Sequence, residues 1–385
     1  MFHIADPKDI KSGKVTDVYF ARTLEILKKK GVDKRVRAEF FAKTLPGGIG
    51  WGVLAGVEEV AYLMEGRGVN IRSFHEGGVF HPWEPVMEIE GMYQEFCVFE
   101  TAMLGLICQA SGVATKAARI RLAAGERAVV SFGARRMHPA VAPMIERAAY
   151  IGGCDGVAVI VSAELIGEDP VGTMPHALIL VLGDTVEATK AFDEVMEKRV
   201  KRVALIDTFN DEKFEAVRVA EAMGGRLYGV RLDTPASRRG DFYRIFEEVR
   251  WELDIRGFKD VRLFASGGLD EKEVLELKPV VDAFGVGTCI SNAPVVDFAM
   301  DIMEVEGRPF AKRGKWSGAK DVVRCPRCGR RKIIPLSQRP GRCVCKGAFA
   351  SLFSPLIKNG KLARRLPKPR AIREGLLKEL KGLEL

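Results

Sequence analysis

Two segments in the last third of the chain combine glycine with a small hydroxyl residue directly after an apolar, β-rich run. They are Ser266-Gly267-Gly268 and Gly285-Val286-Gly287-Thr288. Because glycine has no Cβ, backbone N–H groups at such a turn can face an anion. The late strand ends of an α/β barrel often hold a phosphate in this way, so the pattern predicts a phosphate-binding cradle. The alternative, that these residues merely end strands at tight turns, stays open at this point.

Charged and hydroxyl-bearing residues follow other β-rich runs of the same region. They are Arg135 and Arg136 in S-F-G-A-R-R, Thr173 and His176 in G-T-M-P-H-A, Asp207 in L-I-D-T-F, and Arg231 and Asp233 in V-R-L-D. Arginine offers a rigid fork for a carboxylate or phosphate, aspartate can accept from sugar hydroxyls or hold Mg²⁺, and histidine can act as a base or a nucleophile. Singly, each could be a solvated charge or a satisfied loop residue. Their recurrence at successive strand ends predicts one site for an anionic ligand.

The elements that must position these residues alternate between strand and helix from Ala128 onward. Strands are predicted at Ala128–Ser131, Val157–Val161, Val203–Asp207, Leu227–Leu232, Val261–Ala265 and Ala283–Val286. Helices are predicted at Ala140–Ile151, Val186–Lys198, Asp211–Met223, Phe242–Leu253 and Glu271–Leu277. This alternation is typical of a mostly parallel sheet, and about six strands favour an incomplete α/β barrel over a full eight.

The N-terminal third has a different character. It predicts a helix over Thr16–Lys30, a strand over Arg35–Lys43, a helix over Val53–Met64, hairpins between Ile71 and Glu90, and a long helix over Gln94–Ala124. We therefore expect an N-terminal α+β domain (1–124, rejoined by 291–320), a barrel-like domain (125–290) and a C-terminal module (321–385). Tyr19 lies in the first turn of the first helix, where the sequence alone favours core packing, and His75 and His81 are expected to be structural.

Four of the eight cysteines form two knuckles late in the chain. These are Cys325 and Cys328 in C-x₂-C, and Cys343 and Cys345 in C-x-C, with fourteen residues between the knuckles. Four thiolates at this spacing predict a tetrahedral zinc site, and a Cys₄ site has no open position, so the zinc is expected to be structural. Arginines surround the knuckles, but few aromatic residues accompany them, which favours a solvated surface over a nucleic-acid interface.

Composition sets the remaining bounds. The chain has 385 residues, 47% of them hydrophobic, and a net charge of +9, which suits a folded protein that binds nucleic acid, an anionic surface or a polyanionic small molecule. Met1–Asp6 has no secretory pattern, and no apolar run is expected to reach the ~18 residues that span a bilayer. We expect a cytoplasmic protein that has no membrane partner.

Taken in order, these motifs resemble nicotinate phosphoribosyltransferase, of the archaeal type that carries a C-terminal zinc-binding extension. The resemblance runs from T-D-V-Y-F (Thr16–Phe20) through A-S-G-G-L-D and G-V-G-T to E-G-R-P-F-A-K-R-G-K-W-S-G (Glu306–Gly318). It implies the type II phosphoribosyltransferase fold. It also implies condensation of nicotinate with 5-phosphoribosyl 1-pyrophosphate to nicotinate mononucleotide and pyrophosphate, in NAD biosynthesis or salvage. Many members couple this reaction to ATP hydrolysis through a phosphohistidine.

The resemblance also implies roles for residues. His176 would be the phosphohistidine, Thr173 and Arg231 would contact nicotinate, and Tyr19 of a neighbouring subunit would stack on the ring, so that a homodimer or larger oligomer shares the active site. Asp207 and Arg231 would be catalytic together with His176. The phosphoribosyl pyrophosphate would be held, with Mg²⁺, by a larger set: Arg135, Arg136, Asp233, Ser266, Gly267, Gly268, Gly287 and Thr288. The chain departs from the family at D-T-F-N, where D-T-Y-D is more frequent, and at R-L-D-T-P-A, where R-L-D-S-G-D is more frequent.

The predicted chemistry agrees with these residue types. Cleavage of the C1–pyrophosphate bond passes through an oxocarbenium-like state, so the enzyme needs cations for the leaving group and a slot that aligns the ring nitrogen with C1. A quinolinate phosphoribosyltransferase is the main competing function, but it needs extra cations for a second carboxylate, and its basic R-K-T-type motif is not found. A nicotinamide-specific enzyme and a zinc-ribbon nucleic-acid-binding protein also stay open.

Overall fold

The computed structural model describes all 385 residues, Met1–Leu385. Its α-helices are α1 (Pro7–Lys11), α2 (Val18–Lys30), α3 (Val57–Met64), α4 (Tyr93–Phe96), α5 (Glu100–Ala124), α6 (Ala142–Ile151), α7 (Ile160–Ile166), α8 (His176–Leu182), α9 (Thr185–Val195), α10 (Glu212–Met223), α11 (Ala236–Arg239), α12 (Phe242–Ile255), α13 (Glu271–Leu277), α14 (Thr288–Ser291) and α15 (Pro369–Leu380). Its strands are β1 (Arg35–Ala42), β2 (Gly52–Val53), β3 (Val69–Ser73), β4 (Val79–Phe80), β5 (Met87–Met92), β6 (Ala128–Ser131), β7 (Gly156–Val157), β8 (Val203–Leu205), β9 (Gly229–Leu232), β10 (Arg262–Ser266), β11 (Ala283–Val286), β12 (Phe298–Val305), β13 (Arg308–Pro309), β14 (Lys320–Arg324), β15 (Arg331–Pro335), β16 (Ala350–Ser351), β17 (Ser354–Lys358) and β18 (Lys361–Leu362).

The chain divides into two compact units. Unit 1 comprises Met1–Thr115 and Pro294–Glu379, and unit 2 comprises Lys116–Ala293 and Leu380–Leu385. Residues 321–379 lie within unit 1 in this division. The sequence predicts boundaries between independent domains at residues 124, 290 and 320, and the division into two compact units does not test them.

Unit 1 is built on a seven-stranded sheet in the order β13-β12-β1-β5-β3-β17-β18. Strand β1 pairs antiparallel with both β12 and β5. Because side chains alternate along a strand, Ala38 and Phe40 of β1 enter the core, where they pack with residues of α3 and α5. Arg37 of β1 instead makes ion pairs with Glu88 and Glu90 of β5, at 3.2 and 2.9 Å. This arrangement agrees with the α+β character predicted for the N-terminal third.

A three-stranded sheet in the order β15-β14-β16 carries the cysteine knuckles within unit 1. It is tied to buried carboxylates of the larger sheet and its loops. Lys320 Nζ lies 2.9 Å from Glu39, and Arg331 Nη1 lies 2.8 Å from Glu84. Both glutamates are almost fully buried. Since a buried carboxylate needs a charged partner, the small sheet is part of the stability of unit 1.

Unit 2 contains a six-stranded sheet in the order β7-β6-β11-β10-β9-β8, and all of its strand pairs are parallel. The two end strands, β7 and β8, do not pair with each other, so the barrel is incomplete, as predicted. Strands β6 and β11 and helix α13 have the predicted bounds, and the other predicted strands and helices of this region, apart from Val157–Val161, are shifted by a few residues at their ends. The predicted mixed α/β fold is confirmed.

The predicted strand Val157–Val161 is wrong beyond Val157. The carboxylate of Glu146, which is fully buried in α6, accepts the backbone N–H groups of Ala158 and Val159 at 3.0 Å each. Those two donors are therefore lost to the sheet, and α7 begins at Ile160.

The expectation that no apolar run is long enough to span a bilayer is also wrong. The stretch Tyr93–Ala124 has 32 residues and reaches a mean hydropathy of 1.5, so it could cross a membrane by length and composition. In the most apolar window 56% is buried inside the fold. Met103, Ile107, Val113 and Ile120 are all fully buried, as in the core helix of a soluble protein.

Candidate active site

The parallel sheet of unit 2 brings together most of the residues that the sequence singled out. In a parallel sheet all carboxyl ends lie along one edge, so residues that follow successive strands become neighbours. Arg231 is the third residue of β9, and Asp233 directly follows this strand. Asp207 follows β8 after one residue, and Ser266 is the last residue of β10.

His176 is the first residue of α8, and three groups surround its imidazole ring. Nδ1 lies 3.0 Å from the hydroxyl oxygen of Thr208. Nε2 lies 3.6 Å from a carboxylate oxygen of Asp207 and 3.7 Å from one of Asp233. A histidine that is held at one nitrogen and faces carboxylates with the other has a defined orientation, which is a requirement for acid, base or nucleophilic chemistry.

Asp207 is the most buried carboxylate of this group, with a side chain that is 3% exposed. Burial raises its pKa above the ordinary value, and the charge of Asp233 adds to this, whereas His176 and a backbone N–H of Asp233 oppose the shift. Its Oδ1 atom is buried and has no hydrogen-bond partner within the chain. An unsatisfied buried acceptor beside a second carboxylate fits the oxygen ligands that Mg²⁺ takes, or a donor from a ligand.

Arg231 supplies a half-buried guanidinium group that has no carboxylate of the chain at ion-pair distance. Its Nη1 donates to the hydroxyl of Thr173 at 2.7 Å, and its Nε is buried without a partner. The guanidinium carbon lies 5.9 Å from the centroid of the Phe132 ring. Burial lowers the pKa of Arg231, while Asp233 and Asp207 act in the opposite direction. The group can therefore accept an external carboxylate or phosphate, with an aromatic ring beside it.

The first glycine turn has the conformation that the cradle hypothesis requires. Gly267 and Gly268 have φ values of +90° and +69°, which side chains rarely allow. No hydrogen bond within the chain uses the backbone N–H groups of Gly267, Gly268 and Leu269. The hydroxyl of Ser266 donates to Asp233 at 2.7 Å, which joins the turn to the aspartate pair.

The second glycine segment adjoins the loop after β6. A Cβ atom at Gly285 would collide with the ring of Phe132, and one at Gly133 would lie 2.6 Å from the carbonyl oxygen of Gly287. Both glycines are thus needed for close packing between neighbouring strand ends. Thr288 begins the four-residue helix α14 and is exposed.

Three other predicted residues have fewer contacts with the group formed by Arg231, His176 and the two aspartates. Arg135 is exposed, although its charge contributes to lowering the pKa of Arg231. Arg136 is exposed, and no hydrogen bond or ion pair joins its side chain to the group. Tyr19 belongs to unit 1 and is 56% exposed, while Phe20 beside it is buried. The packing interpretation of Tyr19 is therefore wrong, because the rotation of α2 turns Phe20 and not Tyr19 into the core.

The sequence motifs do not single out Phe132 and Thr208 as individual site residues. Both lie inside the motifs S-F-G-A-R-R and L-I-D-T-F, so the signal was present. Their importance follows from contacts to Arg231 and His176, which are far away in the sequence.

The four late cysteines form a separate cluster in unit 1. Their sulfur atoms all lie within 4.8 Å of one another, with 3.4 Å between Cys325 and Cys345 and 3.5 Å between Cys328 and Cys343. Tetrahedral zinc with Zn–S bonds of about 2.3 Å needs sulfur atoms about 3.8 Å apart. A Cβ at Gly347 would lie 2.7 Å from the sulfur of Cys325, so glycine is required at this knuckle. The cluster can therefore hold a metal ion such as zinc.

Comparison with known proteins identifies the family of the chain. The model of the quinolinate phosphoribosyl transferase C-terminal domain matches residues 113–301, and that of the N-terminal domain matches residues 17–111. The nicotinate phosphoribosyltransferase of Bacillus subtilis is 30% identical over 389 residues, which cover 91% of this chain and 78% of that protein. A nicotinate phosphoribosyltransferase of Mycobacterium tuberculosis is 29% identical over 355 residues, covering 81% of this chain and 78% of the relative.

Solved structures add two further comparisons. The crystal structure of nicotinate-nucleotide pyrophosphorylase from Pyrococcus furiosus shares 55% identity with a TM-score of 0.98, covering 100% of this chain and 99% of that chain. Human nicotinic acid phosphoribosyltransferase shares the fold, with a TM-score of 0.72 at 18% identity over 96% of this chain and 94% of the human chain. The fold is that of the type II phosphoribosyltransferases. The chain belongs to the family of nicotinate and quinolinate phosphoribosyltransferases, enzymes of NAD metabolism.

Proposed function

We propose that this enzyme condenses nicotinate with 5-phosphoribosyl 1-pyrophosphate to give nicotinate mononucleotide and pyrophosphate. The observation that carries the proposal is Arg231, a half-buried guanidinium that is bonded to Thr173 and has no carboxylate at ion-pair distance. One such group beside the Phe132 ring suits a flat ring with one carboxylate. Quinolinate has two carboxylates, and Arg135 and Arg136, the two arginines of the loop after β6, are both exposed.

The roles of the other residues follow from what each can bind. The turn Ser266–Gly268, with Gly287 and Thr288, would take the 5-phosphate through backbone N–H groups and hydroxyls. Asp207 and Asp233 would hold Mg²⁺ and the ribose hydroxyls. Bound Mg²⁺ would neutralise charge on the pyrophosphate as it leaves. Arg135 and Arg136 would add positive charge at the open side of the site.

A substrate panel tests which base the enzyme uses. It compares nicotinate, nicotinamide and quinolinate, each with phosphoribosyl pyrophosphate and Mg²⁺. We expect nicotinate mononucleotide from nicotinate and at least tenfold lower turnover with the other two bases. Release of CO₂ from quinolinate at a rate equal to or above the nicotinate rate would replace this proposal by the quinolinate activity. That activity is supported by the matching family models and by the name of the Pyrococcus furiosus relative.

We propose further that ATP is a co-substrate and that His176 accepts its γ-phosphate. An unprotonated ring nitrogen would form the P–N bond, and ADP would leave. The support is the position of the ring between Thr208 and two carboxylates that could share Mg²⁺ with the nucleotide. With γ-labelled ATP we expect acid-labile label on the wild type and on His138→Asn, an exposed control, and none on His176→Asn. Unlabelled wild type would refute this role.

We also propose a homodimer or larger assembly in the cytoplasm, in which Tyr19 of one subunit covers the ring site of its neighbour. The support is that Tyr19 is an aromatic residue left exposed at the start of α2. Tyr19→Ala and His176→Asn would each be inactive alone. Mixing the two inactive variants should restore part of the activity, because one of the two mixed sites is intact. No recovery after subunit exchange would contradict a shared site.

The structural cofactor in this proposal is one zinc ion at Cys325, Cys328, Cys343 and Cys345. The sulfur–sulfur distances support it, and all four cysteines are needed for a closed tetrahedral shell. Metal analysis should give one zinc per chain, and Cys345→Ser should lower this value to near zero. A content well below one in the wild type would contradict the assignment. Nothing in this role requires nucleic acid.

A further inference from the structure

The segment after β9 departs from the family motif and places two arginines next to the first glycine turn. In R-L-D-T-P-A-S-R-R the chain forms the short helix α11, which ends in Arg238 and Arg239. Arg238 is exposed, whereas Arg239 is half-buried. The two neighbours have the same chemistry and different surroundings, and only Arg239 reaches the turn.

Arg239 is held at two points and has no carboxylate at ion-pair distance. Its Nη1 donates to the carbonyl oxygen of Gly267 at 2.8 Å. Its guanidinium carbon lies 4.6 Å above the ring of Phe242, the buried first residue of α12. A cation stacked on an aromatic ring and bonded to one carbonyl is well oriented, yet keeps its full positive charge.

The bond to Gly267 determines where the glycine turn directs its donors. In a planar trans peptide the C=O and the N–H point in opposite directions, so a cation on the carbonyl of Gly267 turns the N–H of Gly268 to the other face. That N–H and its neighbours have no partner within the chain. Glycines at φ +90° and +69° can take many conformations, so a turn of this composition needs an external restraint to stay in one.

We propose that Arg239 is a positioning residue for the phosphate turn. It fixes the peptide between Gly267 and Gly268 so that the backbone N–H groups of the turn face a phosphate monoester, and its charge adds to the positive potential there. This inference rests on the proposed phosphoribosyl substrate. It does not depend on the base, because the nicotinate and quinolinate reactions both use phosphoribosyl pyrophosphate and both yield nicotinate mononucleotide.

The test compares two ligands that differ only in the 5-phosphate. Calorimetric titration would measure the Kd of nicotinate mononucleotide and of nicotinate riboside for the wild type, Arg239→Gln, Arg239→Lys and Arg238→Gln. We expect Arg239→Gln to weaken mononucleotide binding by about ten- to a hundred-fold, the value of one charge-assisted hydrogen bond, and to leave riboside binding unchanged. Arg239→Lys should be intermediate, because lysine can donate to the carbonyl without stacking as a plane. Arg238→Gln should match the wild type.

A second measurement separates positioning from a general structural effect. In the steady state, Arg239→Gln should raise the KM for phosphoribosyl pyrophosphate and leave the KM for the base unchanged. Equal loss for the two ligands, equal loss for the two arginine variants, or no loss at all would overturn the role of Arg239. Failure of the wild type to bind the mononucleotide would instead overturn the phosphoribosyl function on which it rests. If Arg239→Gln does not fold, Arg239→Lys decides the question.

Discussion

The guanidinium of Arg231 is half-buried beside Phe132 and Thr173, with no carboxylate at ion-pair distance. Burying such a cation costs free energy, which a ligand carboxylate would offset. Asp207 has the converse character, because its carboxylate is buried with one unsatisfied oxygen and its pKa is raised. Both residues are arranged to favour binding over the stability of the free protein, which is common at active sites.

We predict that Arg231→Ala raises the KM for nicotinate by about ten- to a hundred-fold, since a charge-assisted hydrogen bond is worth about 1.5–3 kcal/mol. The KM of Arg231→Lys should lie between the values of the wild type and Arg231→Ala, because lysine keeps the charge but loses the planar fork. Arg244→Ala, at an exposed arginine, is the matched control. An unchanged KM in Arg231→Ala would remove this residue from the ring site.

Asp207→Asn should stabilise the protein above neutral pH while reducing turnover. Burial raises the folded-state pKa of Asp207 above its unfolded value, so the stability linked to its proton is full below the unfolded pKa and is lost as pH rises through the folded pKa. The asparagine side chain of the variant does not ionise, so the variant does not lose this stability as pH rises. We expect a gain of about 0.5–2 kcal/mol in unfolding free energy at pH 8, within the range of stabilising substitutions, that shrinks towards pH 4.

Denaturant titration at several pH values measures this gain, and the exposed Asp260→Asn serves as the control. A gain that is the same at every pH would show that the raised pKa is not its cause.

At the scale of elements, the close approach of neighbouring strand ends decides which side chains meet. Gly285 in β11 leaves room for the Phe132 ring, which in turn lies beside Arg231 on β9. Three neighbouring strands thus support the site. A substitution in one of them should displace side chains on the other two.

Gly285→Ala should displace Phe132, because the added Cβ would collide with its ring. We expect a loss of about 1–3 kcal/mol of stability from overpacking and a higher KM for nicotinate. Gly225→Ala is the control, since a Cβ there meets nothing within 4 Å. Thermal unfolding and steady-state kinetics measure the two effects. Unaltered kinetics in Gly285→Ala would show that the ring does not support Arg231.

At the scale of the whole molecule, the cysteine cluster bears on the stability of unit 1. The strands that carry it also carry Lys320 and Arg331, which pair with the buried Glu39 and Glu84. Burial raises the pKa of Glu39, and Lys320 opposes this shift. If the knuckles come apart, these pairs lose their support and two buried carboxylates lose their cationic partners, which costs about 3–5 kcal/mol for each broken pair.

Removal of the metal with a chelator, or Cys345→Ser, should therefore loosen unit 1. Hydrogen exchange followed by mass spectrometry should show faster exchange in β1, β4 and β14, with β9–β11 of unit 2 protected as before. Added zinc should restore protection in the chelated wild type but not in Cys345→Ser. Uniform loss of protection in both units, or none in β1, would contradict a role confined to unit 1.

Much of this organisation could be read from the amino-acid sequence, because it depends on local patterns. The alternation of β-rich and helical segments predicted the incomplete barrel, and glycine after a strand predicted the turn at Gly267 and Gly268. Cysteine spacing predicted the cluster that the sulfur distances support. In each case the cause is short-range: backbone preference, side-chain periodicity or the reach of a few residues.

Other features were decided only by the tertiary structure, because they depend on contacts between distant parts of the chain. The packing of α8 against β8 brings His176 to Asp233, and Glu146 of α6 ends β7 early. The rotation of α2 buries Phe20 and exposes Tyr19. The reach of Arg239 to Gly267 depends on how α11 packs against the end of β10. A sequence pattern names the residues that can do chemistry, whereas their partners follow from packing that no local propensity encodes.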